Sequence, residues 1–321
     1  PARPRSVYAR GYVGDASGEY NGVVTGQNLK DDRTPEELIA EAVKEARDAD
    51  YVIFIGGLNK SNGQDCEDSD REGLGLSYGQ DAVISALAGA NKNLIVVNIS
   101  GNAIAMPWVN EVPAIVQDWY LGSEAGSSLA AILMGDVNPS GKLPFTFPVK
   151  LEDCPAHSLG EYTGKRSKDI IDIKYNESIF VGYRWADKQK KVKPLFPFGH
   201  GLSYTTFEYG KPTADSKTMQ ADGTLTVKVS VKNTGAREGQ EVVQLYISDK
   251  KSSLPRPVKE LKAFRRIFLK KGEKREVVFT LTEEDLKYYH SDLQYGYDPG
   301  EFQVMVGPNS RDVQTKVFKA E

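Results

Sequence analysis

The chain has 321 residues, a length that predicts two domains, each large enough to bury its own hydrophobic core. Its 41 Lys and Arg residues and 44 Asp and Glu residues give a net charge of -3, and no polybasic run is present, which excludes nucleic acid as a partner. The longest apolar stretches, 51–58 and 94–100, are far shorter than the roughly 18 residues that a membrane-spanning helix needs, which excludes a membrane partner.

The two cysteines, Cys66 and Cys154, belong to no CxxC motif and no Cys/His cluster. We therefore predict no metal and no cofactor, and leave open whether the two form a single disulfide. Residues 1–5 contain two arginines but are followed by no apolar stretch, so they are not a signal peptide. The compartment stays open, with a periplasmic or secreted location favoured over a cytoplasmic one.

The first predicted helix covers residues 35–48. Thr34 is a suitable N-cap, Pro35 suits the first helical position, and Glu37 completes a capping box. A continuous apolar run follows at 51–57 and ends in two glycines, which predicts a parallel strand buried on both faces.

Helical and strand patterns then alternate along the chain. Strands alternating with helices predict a doubly wound α/β layer. The remaining segments of this pattern are a helix at 80–90, a strand at 94–99, a strand at 114–116 and a helix at 124–134.

The apolar period changes to two near residue 205, where we place a domain boundary between residues 1–205 and residues 206–321. This period predicts an antiparallel β-sandwich. Its apolar alternation is seen at Leu225, Val227, Val229 and Val231, then at Val243, Leu245 and Ile247, at Val277, Phe279 and Leu281, and at Phe302, Val304 and Val306. No cysteine pair could join the two sheets, so an antibody-type domain is excluded and a fibronectin-III-like one is not.

The first domain contains three notable motifs, GSEAG at 122–126, GDVNPSGKLP at 135–144 and FGHGLSYT at 198–205. These motifs resemble those of family 3 glycoside hydrolases of the β-glucosidase and β-xylosidase type. The second domain is similar to the family's fibronectin-like module through NTG at 233–235, EG at 238–239, ELKAF at 260–264 and GEF at 300–302 leading to VG at 306–307.

The resemblance covers nearly the whole chain and implies a retaining, exo-acting β-glycosidase that removes terminal β-glucosyl or β-xylosyl residues. The family's TIM-type barrel, which carries the aspartate nucleophile, has no counterpart in these 321 residues. The expected partners are therefore a β-linked oligosaccharide or glycoside and the barrel domain of the same enzyme. We expect the fragment alone to be inactive. The alternative is a non-catalytic carbohydrate-binding or structural fragment.

The segment QDCEDSDR at 64–71 follows the first parallel strand and therefore lies at a carboxyl edge of the sheet, where open α/β layers bind ligands. The resemblance implies that Glu67 is the general acid/base, because the family's glutamate lies three residues before an Asp-Arg pair. Asp65 is the rival, since some xylosidase-like members have acidic residues at both positions.

Neighbouring carboxylates at Asp65, Asp68 and Asp70 would favour a protonated acid. Without the resemblance, a solvated acidic loop is the more common explanation of such a segment. We expect Asp70 and Arg71 to form an ion pair that shapes the loop.

Other candidates have more ordinary explanations. Glu124 opens a helix, where the helix dipole alone favours an acidic residue. The three tryptophans, Trp108, Trp119 and Trp185, lie in apolar stretches and are expected in the core. The glycines near 56–63 fit no Rossmann or Walker pattern and are expected to serve turns.

Overall fold

The protein is described by a computed structural model that defines residues 5–14, 19–20, 23–24, 30–61, 63–67, 71–160, 165–167, 170–189 and 193–321. The chain divides into two compact units, Pro1–Ala130 and Ala131–Glu321. The domain boundary near residue 205 stays a prediction. We place it where the apolar period changes, whereas the two compact units are defined by contacts between residues, and these two criteria need not divide a chain at the same residue.

The first unit combines a parallel sheet with helices. Its elements in chain order are β1 (Glu19–Tyr20), β2 (Val23–Val24), α1 (Pro35–Arg47), β3 (Val52–Gly57), α2 (Gln80–Ala90), β4 (Leu94–Ile99), β5 (Ala114–Gln117), a 3-10 turn (Gly122–Glu124) and α3 (Ala125–Leu133), which crosses into the second unit. The predicted helices and strands of this region are confirmed, with ends that differ by a few residues.

Helix α1 begins as its sequence indicates. The backbone N–H of Glu37 donates to Thr34 Oγ1 at 3.2 Å, and the backbone N–H of Thr34 donates to the Glu37 carboxylate at 2.7 Å. The apolar positions Leu38, Ala42 and Ala46 are buried, and α1 packs against α2.

The parallel sheet has the order β3-β4-β5, and its register pairs Val52 with Leu94 and Ile95 with Ala114. β4 is the central strand and is the most buried of the three. The expectation that β3 is buried on both faces is wrong, because Ile53 and Ile55 are 46% and 53% exposed. β3 is one of the two edge strands of this sheet, and its buried face is the one that carries Phe54 and Gly56.

The second unit is a β-sandwich preceded by short elements. Those elements are α4 (Pro155–Ser158), β6 (Lys165–Ser167), β7 (Ile170–Asp172) and α5 (Tyr183–Lys188). The sandwich strands are β8 (Phe207–Tyr209), β9 (Thr213–Ala214), β10 (Thr218–Met219), β11 (Thr224–Asn233), β12 (Gly239–Asp249), β13 (Glu260–Leu269), β14 (Lys274–Thr282), β17 (Gly300–Gly307) and β18 (Gln314–Ala320). Between β14 and β17, β15 (Tyr288–Tyr289) and β16 (Tyr295–Gly296) form a separate two-stranded sheet.

Two sheets form this sandwich, one with the order β10-β18-β17-β12-β13 and one with the order β14-β11-β8, to which β9 also pairs through β11. All of these pairs are antiparallel except β10 with β18, which is parallel. Alternate residues of β11 and β14 point into one apolar core, as the period of two predicted.

Strand β12 departs from that alternation, because both of its faces are covered. Val243 and Leu245 lie in the core, while Gln244 and Tyr246 on the other face are 3% and 0% exposed. The Tyr183 ring of α5 meets the Tyr246 ring at 6.0 Å, and Gln244 Nε2 donates to the Gly199 carbonyl. Part of the segment before the sandwich therefore packs on the sandwich's outer face.

Candidate active site

The candidate site lies at the carboxyl edge of the parallel sheet, where three loops follow β3, β4 and β5. Parallel strands end at the same edge, so the described residues 58–61 and 63–67 are brought together there with the segments 100–103 and 118–121. These segments are far apart in sequence, and hydrogen bonds join residues that are up to 55 positions apart in the chain.

Strand β3 approaches its neighbours too closely for any side chain at its last two positions. A Cβ at Gly57 would lie 1.9 Å from the Ile99 carbonyl oxygen, and one at Gly56 would lie 2.3 Å from Gln80 Oε1. The buried Gln80 amide accepts from the Gly57 N–H at 2.7 Å and donates to the Gly57 carbonyl at 2.8 Å. These two glycines therefore allow β3 to lie close to β4 and α2. The sequence pattern predicts that they serve turns and does not predict this close packing.

Asp65 is held by three donors from the two neighbouring loops. The Gly101 N–H donates to Oδ2 at 2.5 Å, the Tyr120 hydroxyl donates to Oδ2 at 3.0 Å, and Asn102 Nδ2 donates to Oδ1 at 3.1 Å. Burial, followed by the charge of Asp65, raises the pKa of Tyr120 above its ordinary value. Tyr120 therefore remains a protonated donor to this carboxylate at any physiological pH.

Glu67 lies two residues further along the same loop and is exposed. Among the residues that the structure describes, none forms a hydrogen bond or an ion pair with its carboxylate. The two acidic residues of this loop are thus in different environments: Asp65 is engaged on both oxygens, whereas the Glu67 carboxyl is accessible from solvent. Asp68 and Asp70, with the predicted Asp70–Arg71 ion pair, lie outside the described residues.

Arg71 follows this loop and is half-buried. Its Nη2 donates to the Asn102 side-chain oxygen and, at 2.7 Å, to the Ala103 carbonyl, while Nη1 is buried without a partner in the described part of the chain. Burial lowers the pKa of the guanidinium, and the nearby Asp65 charge acts in the opposite direction. Arg71 therefore contacts the 100–103 segment that also contacts Asp65.

Sequence reasoning missed the polar residues that organise this edge. The buried Asn98 donates to Ser100 Oγ at 2.9 Å and to Gln117 Oε1 at 2.6 Å, and Ser100 Oγ donates to the Asn102 carbonyl at 2.8 Å. Lys60 Nζ lies 4.7 Å from the centre of the Tyr120 ring. The available signal was the presence of amide and hydroxyl residues directly at the ends of buried apolar strands.

The other candidates are placed as follows. Glu124 is exposed in the 3-10 turn before α3. Trp108 and Trp185 are buried, and Trp108 Nε1 donates to Asp81 at 2.7 Å, whereas Trp119 is half-buried with a φ of 42°. Cys66 and Cys154 are both thiols.

Within the described ranges, no group of three or more His, Cys, Asp or Glu residues could hold a metal ion. The helices in that part of the chain are all too short or too polar to cross a bilayer.

Comparison with known proteins identifies the family. Residues 6–204 match the glycosyl hydrolase family 3 C-terminal domain, which is more than half of the chain. The chain belongs to glycosyl hydrolase family 3. Residues 241–310 of this family 3 chain match a fibronectin type III-like domain, which agrees with the β-sandwich of the second unit.

Two curated relatives of this family 3 chain are β-glucosidases. It is 52% identical to β-glucosidase BoGH3A of Bacteroides ovatus over 88% of its own length and 38% of that protein. It is 40% identical to thermostable β-glucosidase B of Acetivibrio thermocellus, over 91% of its length and 38% of the relative. The chain thus spans less than two fifths of the length of these relatives.

Solved structures give the same result. A β-glucosidase from Kluyveromyces marxianus in complex with glucose matches 92% of this chain and 34% of its own, with a TM-score of 0.82 and 37% identity. The β-glucosidase DesR from Streptomyces venezuelae, in complex with D-glucose, matches 89% of this chain and 35% of its own, with a TM-score of 0.80 and 36% identity.

Proposed function

We propose that this chain supplies the general acid/base, Glu67, to a retaining, exo-acting β-glycosidase whose nucleophilic aspartate lies on a TIM-type barrel domain. The observation that carries the proposal is the position of Glu67: an exposed carboxyl at the carboxyl edge of the parallel sheet, in a chain of family 3. Ligands of open α/β sheets bind at this edge.

The proposed reaction uses Glu67 twice. First, the protonated Glu67 donates its proton to the glycosidic oxygen while the C1–O bond breaks and an aspartate oxygen of the barrel bonds to C1. The ionised Glu67 then takes a proton from water as the water oxygen attacks C1 and releases the aspartate. Retaining enzymes hold their two carboxyl groups about 5 to 5.5 Å apart. A single carboxyl group on this chain therefore supports half of the chemistry.

The contacts of Asp65 favour Glu67 over its rival. A general acid/base must reach the glycosidic oxygen and exchange protons with solvent between the two steps. Asp65 accepts three hydrogen bonds from Gly101, Asn102 and Tyr120, so it would have to give up protein contacts to do either. The exposed Glu67 has no such contacts to give up within the described residues.

For the sugar, the names of the relatives favour a terminal β-glucosyl group, since BoGH3A and its thermostable counterpart are both β-glucosidases. A β-xylosyl group remains within the proposal. The barrel domain would form the remainder of the sugar site and would be the partner of this chain.

The test of the acid/base assignment uses the enzyme in which this chain is joined to its barrel domain. Glu67→Ala should lower kcat/KM for an alkyl β-glucoside by about 10²- to 10⁴-fold, because the alcohol leaving group needs the proton. For a dinitrophenyl β-glucoside, whose leaving group needs no proton, kcat/KM should stay near the wild-type value, whereas kcat should fall because the second step lacks its general base. Azide should restore kcat, since it attacks C1 without a general base.

Asp65→Asn is the matched control, since it keeps the size of the side chain. In Asp65→Asn, the loss of kcat/KM should not depend on the leaving group, and azide should not restore turnover. If Asp65→Asn shows both effects and Glu67→Ala shows neither, the acid/base is Asp65 and the assignment is wrong.

A second experiment tests the division of the reaction between domains. The 321-residue chain alone should show no hydrolysis of an aryl β-glucoside or β-xyloside, and no covalent glycosyl adduct by mass spectrometry. Turnover by this chain, freed of contaminating enzyme, would contradict the need for a barrel aspartate. Sugar binding without turnover, with the barrel-linked form equally inactive, would instead support a non-catalytic carbohydrate-binding fragment.

A further inference from the structure

The residues on either side of Glu67 are tied to one short segment that follows β4. On the N-terminal side, Asp65 accepts from the Gly101 N–H and from the Asn102 side chain. On the C-terminal side, Arg71 donates to the Asn102 side chain and to the Ala103 carbonyl. The segment 101–103 therefore contacts the chain both before and after Glu67.

Asn102 is the only one of these residues whose side chain touches both sides. Its Nδ2 donates to Asp65 Oδ1 at 3.1 Å, and its Oδ1 accepts from Arg71 Nη2. A carboxylate can only accept and a guanidinium can only donate, whereas a planar amide carries both functions in a fixed geometry. An amide is thus the side chain suited to join this particular pair.

The position of Asn102 is itself determined by contacts with the sheet. Ser100 Oγ donates to the Asn102 carbonyl, and Ser100 Oγ accepts from Asn98, which is 1% exposed in the central strand. Gln117 at the end of β5 accepts from the same Asn98 amide and donates to Ser100 Oγ at 3.1 Å. Hydrogen bonds with defined distances and angles therefore connect Asn98 in the sheet to Asn102, and they fix the position of Asn102 relative to the sheet.

We propose that Asn102 is a positioning residue, whose amide joins Asp65 and Arg71 and so fixes the positions of the two residues that flank Glu67. The inference rests on the proposed role of Glu67 as acid/base. A proton donor must lie within hydrogen-bond reach of the glycosidic oxygen, and a displacement of about 1 Å costs up to about 10²-fold in rate. Asp65, the rival for catalysis, then serves as one of the two points at which the loop is fixed.

The test compares Asn102→Ala with Asn91→Ala in the enzyme joined to its barrel domain. Asn91 is a matched control, because its amide also joins two groups of the first unit, donating to the Ala46 and Ala49 carbonyls. Asn91 lies before β4, at the opposite edge of the sheet from Glu67. Asn102→Ala removes two side-chain hydrogen bonds, and Asn91→Ala removes three, because Asn91 Oδ1 also accepts from the Asn93 N–H at 2.8 Å. Only Asn102→Ala removes contacts of the residues that flank Glu67.

Asn102→Ala should lower kcat/KM for an alkyl β-glucoside by about 10- to 100-fold. It should leave kcat/KM for a dinitrophenyl β-glucoside nearly unchanged, and it should alter the basic limb of the pH profile. Asn91→Ala should reduce thermal stability with neither kinetic effect. Asn102→Asp keeps the acceptor for Arg71 but turns a carboxylate towards Asp65, so it should lose at least as much kcat/KM as Asn102→Ala while remaining folded by circular dichroism.

Equal losses for both substrates in Asn102→Ala, or no loss in either, would overturn the positioning role. Glu67→Ala is measured in parallel to separate the two hypotheses. If the loss of kcat/KM depends on the leaving group in Glu67→Ala but not in Asn102→Ala, only the positioning role is wrong. If the loss in Glu67→Ala does not depend on the leaving group, both the proposed function and the positioning role are wrong.

Discussion

In the sandwich of the second unit, every second residue of β11 is buried in one apolar core, whereas at the carboxyl edge of the first unit's sheet the loops are joined by polar side chains such as Asn102. Apolar burial is large in free energy and has no preferred direction. Hydrogen bonds contribute less net free energy but fix distances and angles. Substitutions in the sandwich should therefore change stability, and substitutions at the edge should change geometry.

The largest expected effect is in the sandwich core. Phe279 on β14 is 1% exposed, and Phe279→Ala should destabilise the second unit by about 3 to 5 kcal/mol through the cavity that it leaves. Denaturant unfolding, with amide hydrogen exchange followed in β11 and β14, measures this loss. Phe264→Ala, at a position that is 60% exposed, should stay within about 0.5 kcal/mol. Equal losses of unfolding free energy at the two positions would contradict the view that apolar burial stabilises the second unit.

A buried ion pair tests whether charge is as important as packing in the second unit. Glu241 is 4% exposed and accepts from Lys142 at 3.1 Å and from the Tyr209 hydroxyl at 2.9 Å. Lys142→Met removes its charged partner and should cost about 3 kcal/mol at pH 8. The exposed pair of Lys228 and Glu276 is the control, and Lys228→Met should cost less than about 1 kcal/mol.

The same variant has a predicted pH dependence. Burial raises the pKa of Glu241 above its ordinary 4.5, and Lys142 opposes that rise, so removing Lys142 raises the pKa further. A raised carboxyl pKa means that its stabilising contribution is fully present below pH 4.5 and is lost as the pH rises through the folded-state pKa. The loss in Lys142→Met should therefore be smaller at pH 5 than at pH 8. A loss that is independent of pH would show that the charge of Glu241 is not the cause.

At the sheet edge, Gly57→Ala should cost about 1 to 3 kcal/mol, because φ is +140° and the new Cβ would meet the Ile99 carbonyl oxygen at 1.9 Å. Gly89→Ala in α2 is the opposite case, since a Cβ there meets nothing within 4 Å. Alanine in a helix should stabilise by about 0.5 to 1 kcal/mol relative to glycine. The Tm of Gly57→Ala should thus fall and that of Gly89→Ala should rise. Shifts in the same direction would contradict the close approach of Gly57 to the Ile99 carbonyl.

The smallest expected effect is at the start of α1. Thr34→Ala removes the capping hydrogen bond to the Glu37 N–H and should destabilise by about 1 kcal/mol. Thr34→Ser keeps the hydroxyl and should be close to wild type. Hydrogen exchange of the first amides of α1 resolves the difference, and equal protection in the two variants would show that the cap contributes nothing.

Local patterns predicted most of the fold. The capping box located α1, the apolar runs located β3 and β4, and the alternation in β11 located the sandwich core. Each of these signals lies within a few neighbouring residues, where backbone periodicity and side-chain chemistry act directly. The exposure of Ile53 and the burial of Tyr246 were not predicted, because they depend on what covers the second face of a strand.

For the site, the sequence by itself determined the loop and its acidic residues, since a segment that follows a parallel strand must lie at the carboxyl edge of the sheet. Only the tertiary structure decided the environments of these residues. Asp65 meets Asn102 and Tyr120 across 37 and 55 residues of chain, and no local pattern encodes which loop lies opposite. Hydrogen bonds require defined distances and angles, and those are set when three strands assemble into one sheet.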